Sequence, residues 1–444
     1  MTGSPKASSA SERKALARRR KQLMQAAGDG AILVLPAAPE RIRSRDTHYP
    51  YRQDSDFWYL TGCNEPDAVL VLVPGRKHGE AILFCRERDP EREGWDGPRL
   101  GPEGAVETLG MDDAYPISDI DDILPGLLEG RRRVHYHLGR DADFDLKLIG
   151  WLNRVRAQAR QGAQPPQEFL ELGHLLDEMR LFKSADEVKL MQRAADISVE
   201  AHRAAMRAAR AGIHEYELQA ELERVFRMHD AQPAYASIVG AGSNACVLHY
   251  RDNSARSRDG ELVLIDAGAE YRGYAADITR TFPVNGRFAR EQRALHDLVC
   301  AAQAAALARA RPGTPYEAGH EAAVETLTDG LLSLGLLKGT FKAALANGDY
   351  KRFYRHKTGH WLGLDVHDVG EYRIDGESRL LEPGMVFTIE PGLYIPSDAD
   401  VPAKWRGIGI RIEDDVLVTT EGHRVLTDAL ERSADAVEAL MAAP

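Results

Sequence analysis

Four carboxylates and one histidine in the second half of the chain have the residue types of a two-metal hydrolytic site. In chain order they are Asp266, Asp277, His360, Glu390 and Glu413. Asp266 ends the apolar run 261–266, which predicts a strand buried on both faces. A buried carboxylate must become neutral, pair with a cation or bind a metal, because an isolated charge in low dielectric is very unfavourable. The five residues therefore predict metal-assisted hydrolysis.

The acids lie in a repeated pattern. Segments 259–266 and 382–390 share an acid, a turn glycine, an apolar strand and a terminal carboxylate, and the predicted strands that follow, 274–281 and 408–416, each carry another acid. The period of two along these strands places Thr279 on the face of Asp277, and Arg411 on the face of Glu413. We expect two facing hairpin-like units that bring four carboxylates to one point. A salt bridge to a nearby arginine would account for any single acid, but less well for all four.

Histidines accompany the acids on a glycine-rich segment. His356, His360 and His367 stand at offsets of four and seven, which would share one face of a helix. Gly359 and Gly363 weaken a helix there, so the segment is predicted as a loop that leads into a short strand. Together with His249, these residues indicate an active-site cleft rather than core filling.

The ligand types indicate which metal the site would take. Carboxylates with a single imidazole suit hard or borderline divalent ions, and Mn(II) is the first choice. Two such ions about 3.5–4 Å apart can share a hydroxide and polarise a carbonyl. The expected nucleophile is therefore water, with no serine or cysteine required.

Five segments around these residues carry a resemblance to a known family: 264–268, 277–283, 360–368, 388–394 and 407–414. They resemble those of aminopeptidase P, the bacterial Xaa-Pro aminopeptidases of the pita-bread family. Segment 49–62 resembles the non-catalytic amino-terminal domain of that family. The resemblance covers nearly the whole chain beyond the first dozen residues, and all five ligand positions match.

The resemblance implies removal of an N-terminal residue that precedes proline, by attack of a metal-bridging hydroxide. It implies two Mn(II) ions per subunit, with Co or Zn as alternatives. Asp266 and Asp277 would hold one ion and His360 and Glu390 the other, while Asp277 and Glu413 would bridge both.

Further roles follow for residues around the ligands. Glu390 would also carry a proton from the water to the leaving proline nitrogen. His249 and His367 would stabilise the developing oxyanion, and His356 would shape the substrate pocket. Arg411 would orient a ligand carboxylate and Tyr394, the latter a substrate-binding residue; a plain buried ion pair would explain Arg411 equally well.

The resemblance also implies a homo-oligomer, a dimer or tetramer. In that family the amino-terminal domain reaches a neighbouring subunit's active site. Trp95, with Asp46, is therefore expected to lie at the edge of a partner's cleft and to contact substrate.

Rival functions remain open. A prolidase restricted to Xaa-Pro dipeptides would share all five ligands and most of the histidines. A methionine aminopeptidase would not need the long amino-terminal domain, and creatinase lacks the metals. A protein that only binds peptides would be expected to have lost ligands, and here none is lost.

Composition agrees with a cytoplasmic enzyme. The chain has 444 residues, 43% of them hydrophobic and 28% charged, and a formal net charge of −11. The negative charge argues against nucleic acid or anionic lipid as a partner. The four cysteines form no CxxC pair, which favours a reducing compartment. No apolar run approaches the roughly 18 residues of a membrane span.

The predicted fold class is α+β, with three segments. Residues 1–12 form a disordered head, 13–172 an α/β creatinase-like amino-terminal domain, and 173–444 a catalytic domain for which the resemblance implies the pita-bread fold with an internal pseudo-two-fold duplication. The Gly/Pro-rich segment 161–166 is the best linker. Ser184 and Glu187 form a predicted capping box that begins a helix ending near Gly212.

Overall fold

A computed structural model describes residues 10–442 of the chain. The chain divides into two units at the Asp177–Glu178 bond, whereas the sequence places a boundary at 172/173. Residues 1–9 of the predicted disordered head lie outside the described residues. The rest of that prediction is wrong, because residues 10–12 form the first turn of a helix.

The first unit is built on a mixed six-stranded sheet with the strand order β6-β5-β4-β1-β7-β8. Its apolar strands are buried on both sides and pack against helices through Leu124, Leu148 and Trp151. The strands are β1 (Ala31–Pro36), β2 (Ile42–Ser44), β3 (Thr47–His48), β4 (Val69–Leu72), β5 (Ala81–Cys85), β6 (Asp113–Pro116), β7 (Arg133–Tyr136) and β8 (Glu168–Glu171). The helices are α1 (Ala10–Ala27), α2 (Ser55–Thr61), α3 (Pro90–Asp96), α4 (Gly101–Leu109), α5 (Ile120–Leu128) and α6 (Ala142–Ala157).

The predicted linker at 161–166 is instead a connection inside this unit. Gly130 N–H donates to the Gln164 carbonyl at 2.8 Å, and the chain then enters β8, which pairs in parallel with β7. The Gly/Pro content therefore marks a turn between an α-helix and a strand, not a domain boundary.

The second unit carries all five predicted metal ligands. Its helices are α7 (Gly173–Leu181, which begins before the division), α8 (Ala185–Ala208), α9 (Glu215–Met228), α10 (Arg290–Leu307), α11 (Glu317–Ser333), α12 (Phe341–Asn347) and α13 (Ala434–Ala442). Its strands are β9 (Gln232–Pro233), β10 (Ile238–Ala241), β11 (Leu262–Asp266), β12 (Ala269–Tyr271), β13 (Tyr274–Ala275), β14 (Thr279–Pro283), β15 (Arg373–Ile374), β16 (Glu377–Ser378), β17 (Val386–Ile389), β18 (Gly392–Ile395), β19 (Ile408–Arg411), β20 (Asp414–Val418) and β21 (His423–Val425). The capping box of Ser184 and Glu187 begins α8 as predicted.

This unit consists of two similar halves, as the repeated pattern predicts. In the first half, α8 and α9 pack on β11 and β14 around one apolar core. In the second, α10 and α11 pack on β17 and β20 around another. Each half therefore contributes one helix pair and one antiparallel strand pair, and the predicted metal ligands lie at the ends of these strands or beside them.

Two predicted strands are interrupted at the acids they carry. The predicted strand 274–281 is β13 and β14 with Asp277 in the break, and 408–416 is β19 and β20 with Glu413 in the break. The predictions of continuous strands are wrong because the backbone N–H groups at the two breaks bond to distant residues. Asp277 N–H donates to Asp415, and Glu413 N–H donates to the Thr279 carbonyl.

The predicted short strand after His360 is reduced to one bridge between Trp361 and Phe387. Asp368 N–H turns back to the Trp361 carbonyl at 2.9 Å, and this contact ends the extended segment. Among the helices of residues 10–442, none has both the length and the apolar character needed to span a bilayer.

Candidate active site

The five predicted ligands converge because each stands where a strand or an extended segment stops. Asp266 is the last residue of β11, and Glu390 directly follows β17. Asp277 and Glu413 occupy the corresponding breaks of the two halves. His360 precedes Trp361, whose bridge to Phe387 aligns it beside β17. The strand pairing of both halves thus delivers all five side chains to one place.

Distances show how closely the side chains approach. Candidate ligand atoms of Asp277, His360 and Glu413 all lie within 4.8 Å of one another. His360 Nε2 is 3.4 Å from Asp277 Oδ2 and 3.7 Å from Glu390 Oε1. The Nδ1–H of His360 donates to the Trp361 carbonyl at 3.0 Å, which directs Nε2 into the carboxylate cluster. An imidazole oriented in this way presents one lone pair to a metal.

Arg411 connects one ligand carboxylate to the substrate cleft. Its Nη2 donates to Asp266 Oδ2 at 2.6 Å, and its Nη1 donates to the Tyr394 hydroxyl at 2.9 Å. The Tyr394 hydroxyl in turn lies 2.9 Å from His356 Nε2. His356 Nδ1 donates to the Lys357 carbonyl at 2.7 Å, so Nε2 accepts the proton of Tyr394. The guanidinium, phenol and imidazole form one hydrogen-bonded chain.

Burial perturbs the pKa values of Asp277, His360, Glu390 and Glu413. Burial and the neighbouring carboxylates raise the pKa of Glu413 well above its ordinary value, and they raise that of Asp277. Burial raises the pKa of Glu390 to about 7, although His360 and Arg411 oppose the rise. Burial alone would lower the pKa of His360, but its bond to Asp277 raises that pKa to about 9. The raised pKa values show that Arg411 and His360 do not supply enough positive charge to keep these acids ionised, so the donor set fits divalent cations.

The remaining predicted histidines line the same cavity. It has a volume of about 580 Å³, and His249, His356 and His367 lie on its wall with all five predicted ligands and Arg411. The rings of His360 and His367 are 4.3 Å apart between centroids and nearly perpendicular. Burial lowers the pKa of His356 to about 3, and burial, His360 and His249 lower that of His367.

Two known family models match the sequence, and one of them covers the site residues. Residues 189–420 match metallopeptidase family M24, and residues 16–136 match the aminopeptidase P N-terminal domain. The chain belongs to metallopeptidase family M24. The M24 match spans both breaks that carry Asp277 and Glu413, so the candidate site lies within the family's defining domain.

Relatives within family M24 are similar to this chain over about four fifths or more of their length. Xaa-Pro aminopeptidase of Escherichia coli (strain K12) is 46% identical over 428 residues, which cover 96% of this chain and 97% of that protein. Human Xaa-Pro aminopeptidase 3 is 37% identical over 416 residues, which cover 91% of this chain and 79% of that protein. The solved structure of Pseudomonas aeruginosa aminopeptidase PepP is 58% identical, covers 97% of this chain and 98% of that one, and superposes with a TM-score of 0.96. The fold of this M24 chain is therefore that of the aminopeptidase P structures, a pita-bread domain after an aminopeptidase P N-terminal domain.

Tyr235 is a site residue that sequence reasoning missed. Its hydroxyl donates to Asp266 Oδ1 at 2.7 Å and also contacts Asp277 Oδ1. It lies in the short connection between β9 and β10, in no pattern that distinguishes it from the other tyrosines of the chain. Asp415 was also missed, although it lies two residues after the predicted ligand Glu413; it accepts the backbone N–H of Asp277 at 3.2 Å.

Two predicted substrate-binding residues are not on the wall of this cavity. Tyr394 is buried and reaches the wall only through its hydrogen bond to His356. The other residue is Trp95. It lies in α3 of the first unit and is 84% exposed. Its role at a partner's cleft stays a prediction, which requires a second copy of the chain to test.

Proposed function

We propose that this chain is a dinuclear-metal Xaa-Pro aminopeptidase. The observation that carries the proposal is the convergence of four carboxylates and His360 on one cavity, in a chain 46% identical to an Xaa-Pro aminopeptidase over nearly its whole length. Removal of an N-terminal residue that precedes proline is the activity that such relatives are named for. The proposed substrates of this chain are accordingly peptides with proline at the second position.

Two Mn(II) ions are proposed to occupy the carboxylate cluster. Asp266 and Asp277 would hold one ion, and His360 and Glu390 would hold the other. Asp277 and Glu413 would contact both ions. Zinc is an alternative, since an Escherichia coli aminopeptidase P structure is described as zinc-substituted and in complex with product. When bound, the ions would acidify a water molecule and polarise the scissile carbonyl.

Protein side chains would complete the reaction around that centre. Glu390 would take a proton at its carboxylate and return it to the proline nitrogen, because that side chain is a proposed ligand and is part of the cavity wall. His249 and His367 lie on the same wall, where they can stabilise the oxyanion that develops on the scissile carbonyl. Arg411 would hold Asp266 and Tyr394 in place through its two bonds.

Proline imposes a particular requirement on the pocket. A bond to proline is a tertiary amide with no N–H and a fixed φ, so an enzyme cannot hold the scissile amide by its hydrogen. Recognition must come from shape and from groups that flank the ring. We assign this role to His356 and Tyr394, whose mutual hydrogen bond fixes both rings, and to Trp95 of a neighbouring subunit in a homo-oligomer.

The cytoplasm is proposed as the compartment. The support is compositional: a net charge of −11 and four cysteines, all of which are free thiols in the structure.

The experiment that tests the function compares an Xaa-Pro dipeptide with an Xaa-Pro-Yaa tripeptide under Mn(II), with a chelator as control. Release of the first residue from the tripeptide, abolished by the chelator, is the expected result. Cleavage of the dipeptide alone would instead identify a prolidase.

A further inference from the structure

A buried cluster of opposite charges stands at the end of the segment 360–368. Asp368 Oδ1 accepts from Arg180 Nη2 at 2.5 Å, and Asp368 Oδ2 accepts from Lys183 Nζ at 2.9 Å. The three side chains are 3% exposed or less. We refer to Arg180, Lys183 and Asp368 as the clamp. Arg180 also donates to Asp365 at 2.7 Å, but that carboxylate is 40% exposed.

The clamp is built into the backbone on both sides. A Cβ at Gly363 would lie 2.0 Å from Asp368 Oδ2 and 2.9 Å from Lys183 Cε, so only glycine leaves room for the ion pair. The Gly363 carbonyl accepts from Ala275 N–H, and Lys183 N–H donates to the Gly384 carbonyl, both at 2.8 Å. The backbone around the clamp is therefore bonded to β13 of the first half and to the turn before β17 of the second.

The segment that the clamp holds carries functional side chains. His360, Val366 and His367 are on the wall of the cavity. His367 is exposed while Asp368, the next residue, is buried. A shift of Asp368 would therefore move His367 directly, through a single peptide unit, and would change its distance from the substrate.

A buried ion cluster is a poor way to gain stability, because desolvation of the charges offsets much of their attraction. The ion cluster does, however, fix the relative positions of its side chains, because its bonds are short and directional. An apolar contact would not fix them in this way. We propose that Arg180, Lys183 and Asp368 are positioning residues, which hold His367 against the scissile carbonyl. The inference rests on the function proposed above for His367 and adds the residues that make it effective.

The first test is Asp368→Asn, assayed for kcat, KM, metal content and melting temperature. Misplacement of His367 is expected to lower kcat by about 10–100-fold, with KM within about threefold and metal content unchanged. Asp365→Asn is the matched control, since it contacts the same guanidinium from an exposed position, and its kcat should stay within about twofold. Equal losses in both variants would overturn the inference.

A second variant separates position from stability. Asp368→Asn alone removes the charge of the carboxylate that two buried cations share, and this loss can prevent folding. The double variant Lys183→Met/Asp368→Asn removes one cation together with the acid and should recover the melting temperature. If the clamp positions His367, kcat remains low in this stable variant; if kcat recovers with the melting temperature, the clamp is only structural.

A double-mutant cycle with His367→Ala distinguishes failure of the clamp from failure of the proposed site. Once His367 is removed, loss of the clamp should lower kcat by less than about twofold more, because both changes act through one side chain. If the kcat losses of the clamp variant and of His367→Ala multiply instead, the clamp does not act through His367, while the proposed role of His367 stands. Full activity of His367→Ala would instead refute the proposed role of His367, and the clamp's function with it.

Discussion

Thr279 binds Glu413 twice, across the two halves of the catalytic unit. The Thr279 carbonyl accepts the Glu413 N–H at 3.0 Å, and the Thr279 hydroxyl donates to Glu413 Oε2 at 2.6 Å. The same hydroxyl accepts from Arg411 Nε at 3.1 Å. One threonine therefore fixes the backbone and the carboxylate of a proposed bridging ligand that belongs to the other half.

Replacing Thr279 by valine should weaken metal binding. Valine keeps the shape but leaves Glu413 without a charge-assisted hydrogen bond, and such outer contacts are worth about 10–100-fold in metal affinity. Thr281→Val is the matched control, because the Thr281 hydroxyl donates to the Arg411 carbonyl and accepts from the Arg411 N–H, both of which are backbone groups. Titration of Mn(II) into both metal-free variants checks this; equal affinities would be evidence against the assignment.

Tyr235→Phe should also lower metal affinity, by about tenfold. The lost hydroxyl orients Asp266 and Asp277 together, so the ligands would be less well arranged before an ion arrives. Tyr274→Phe serves as control, since its buried hydroxyl bonds Glu187 instead. Metal titration is the measurement, and an affinity equal to that of the parent would show that Tyr235 does not organise the site.

Glu390→Gln should lower kcat by about 10²–10⁴-fold, the range for loss of a general acid–base group. Glutamine keeps the size and one oxygen, but it cannot carry the proton to proline. Metal content must be measured in the same samples, because a loss of ions would lower kcat for a different reason. Glu382→Gln, exposed at the turn before β17, should leave kcat within about twofold. A metal-loaded Glu390→Gln enzyme with parental kcat would exclude the proton-transfer role.

The stability of the first unit should depend on pH through His137. Its ring contacts Asp56 at 3.1 Å and Glu171 at 2.5 Å. Burial would lower the pKa of His137, but these two bonds raise it overall. Because the folded pKa is raised, the stabilisation is fully present below the ordinary pKa, about 6.5, and is lost as pH rises through the folded pKa.

Melting curves of the parent and His137→Asn at several pH values check this expectation. The difference in melting temperature should be larger at pH 6 than at pH 9, while the exposed His78→Asn should show no such trend. A difference that grows with pH would have the wrong sign and would contradict the account of His137.

The convergence of the five candidate ligands could be predicted from the sequence because the acids among them follow a local rule. Asp266 and Glu390 come at the ends of strongly apolar strands, and repetition of that pattern indicated a shared site before any fold was known. The predicted capping box of Ser184 and Glu187 is likewise a local interaction, which the structure confirms.

Other features could not be predicted because their causes are distant in sequence. The strand breaks at Asp277 and Glu413 arise from bonds between residues more than 100 positions apart, such as Asp277 N–H to Asp415. Tyr235 is one of 15 tyrosines and acquires its role only when β10 and β11 pair. The ion pair of Lys183 and Asp368 spans 185 positions, and neither residue stands out within its own segment.

The most direct test of the whole account is a titration of the metal-free chain with Mn(II), in which release of the first residue from an Xaa-Pro-Yaa peptide is measured at each step. We expect two ions to bind per chain and activity to reach its maximum as the second site fills. An Xaa-Ala-Yaa peptide should be cleaved far more slowly at every point. Absence of metal binding, or equal cleavage of the two peptides, would contradict a dinuclear, proline-directed aminopeptidase.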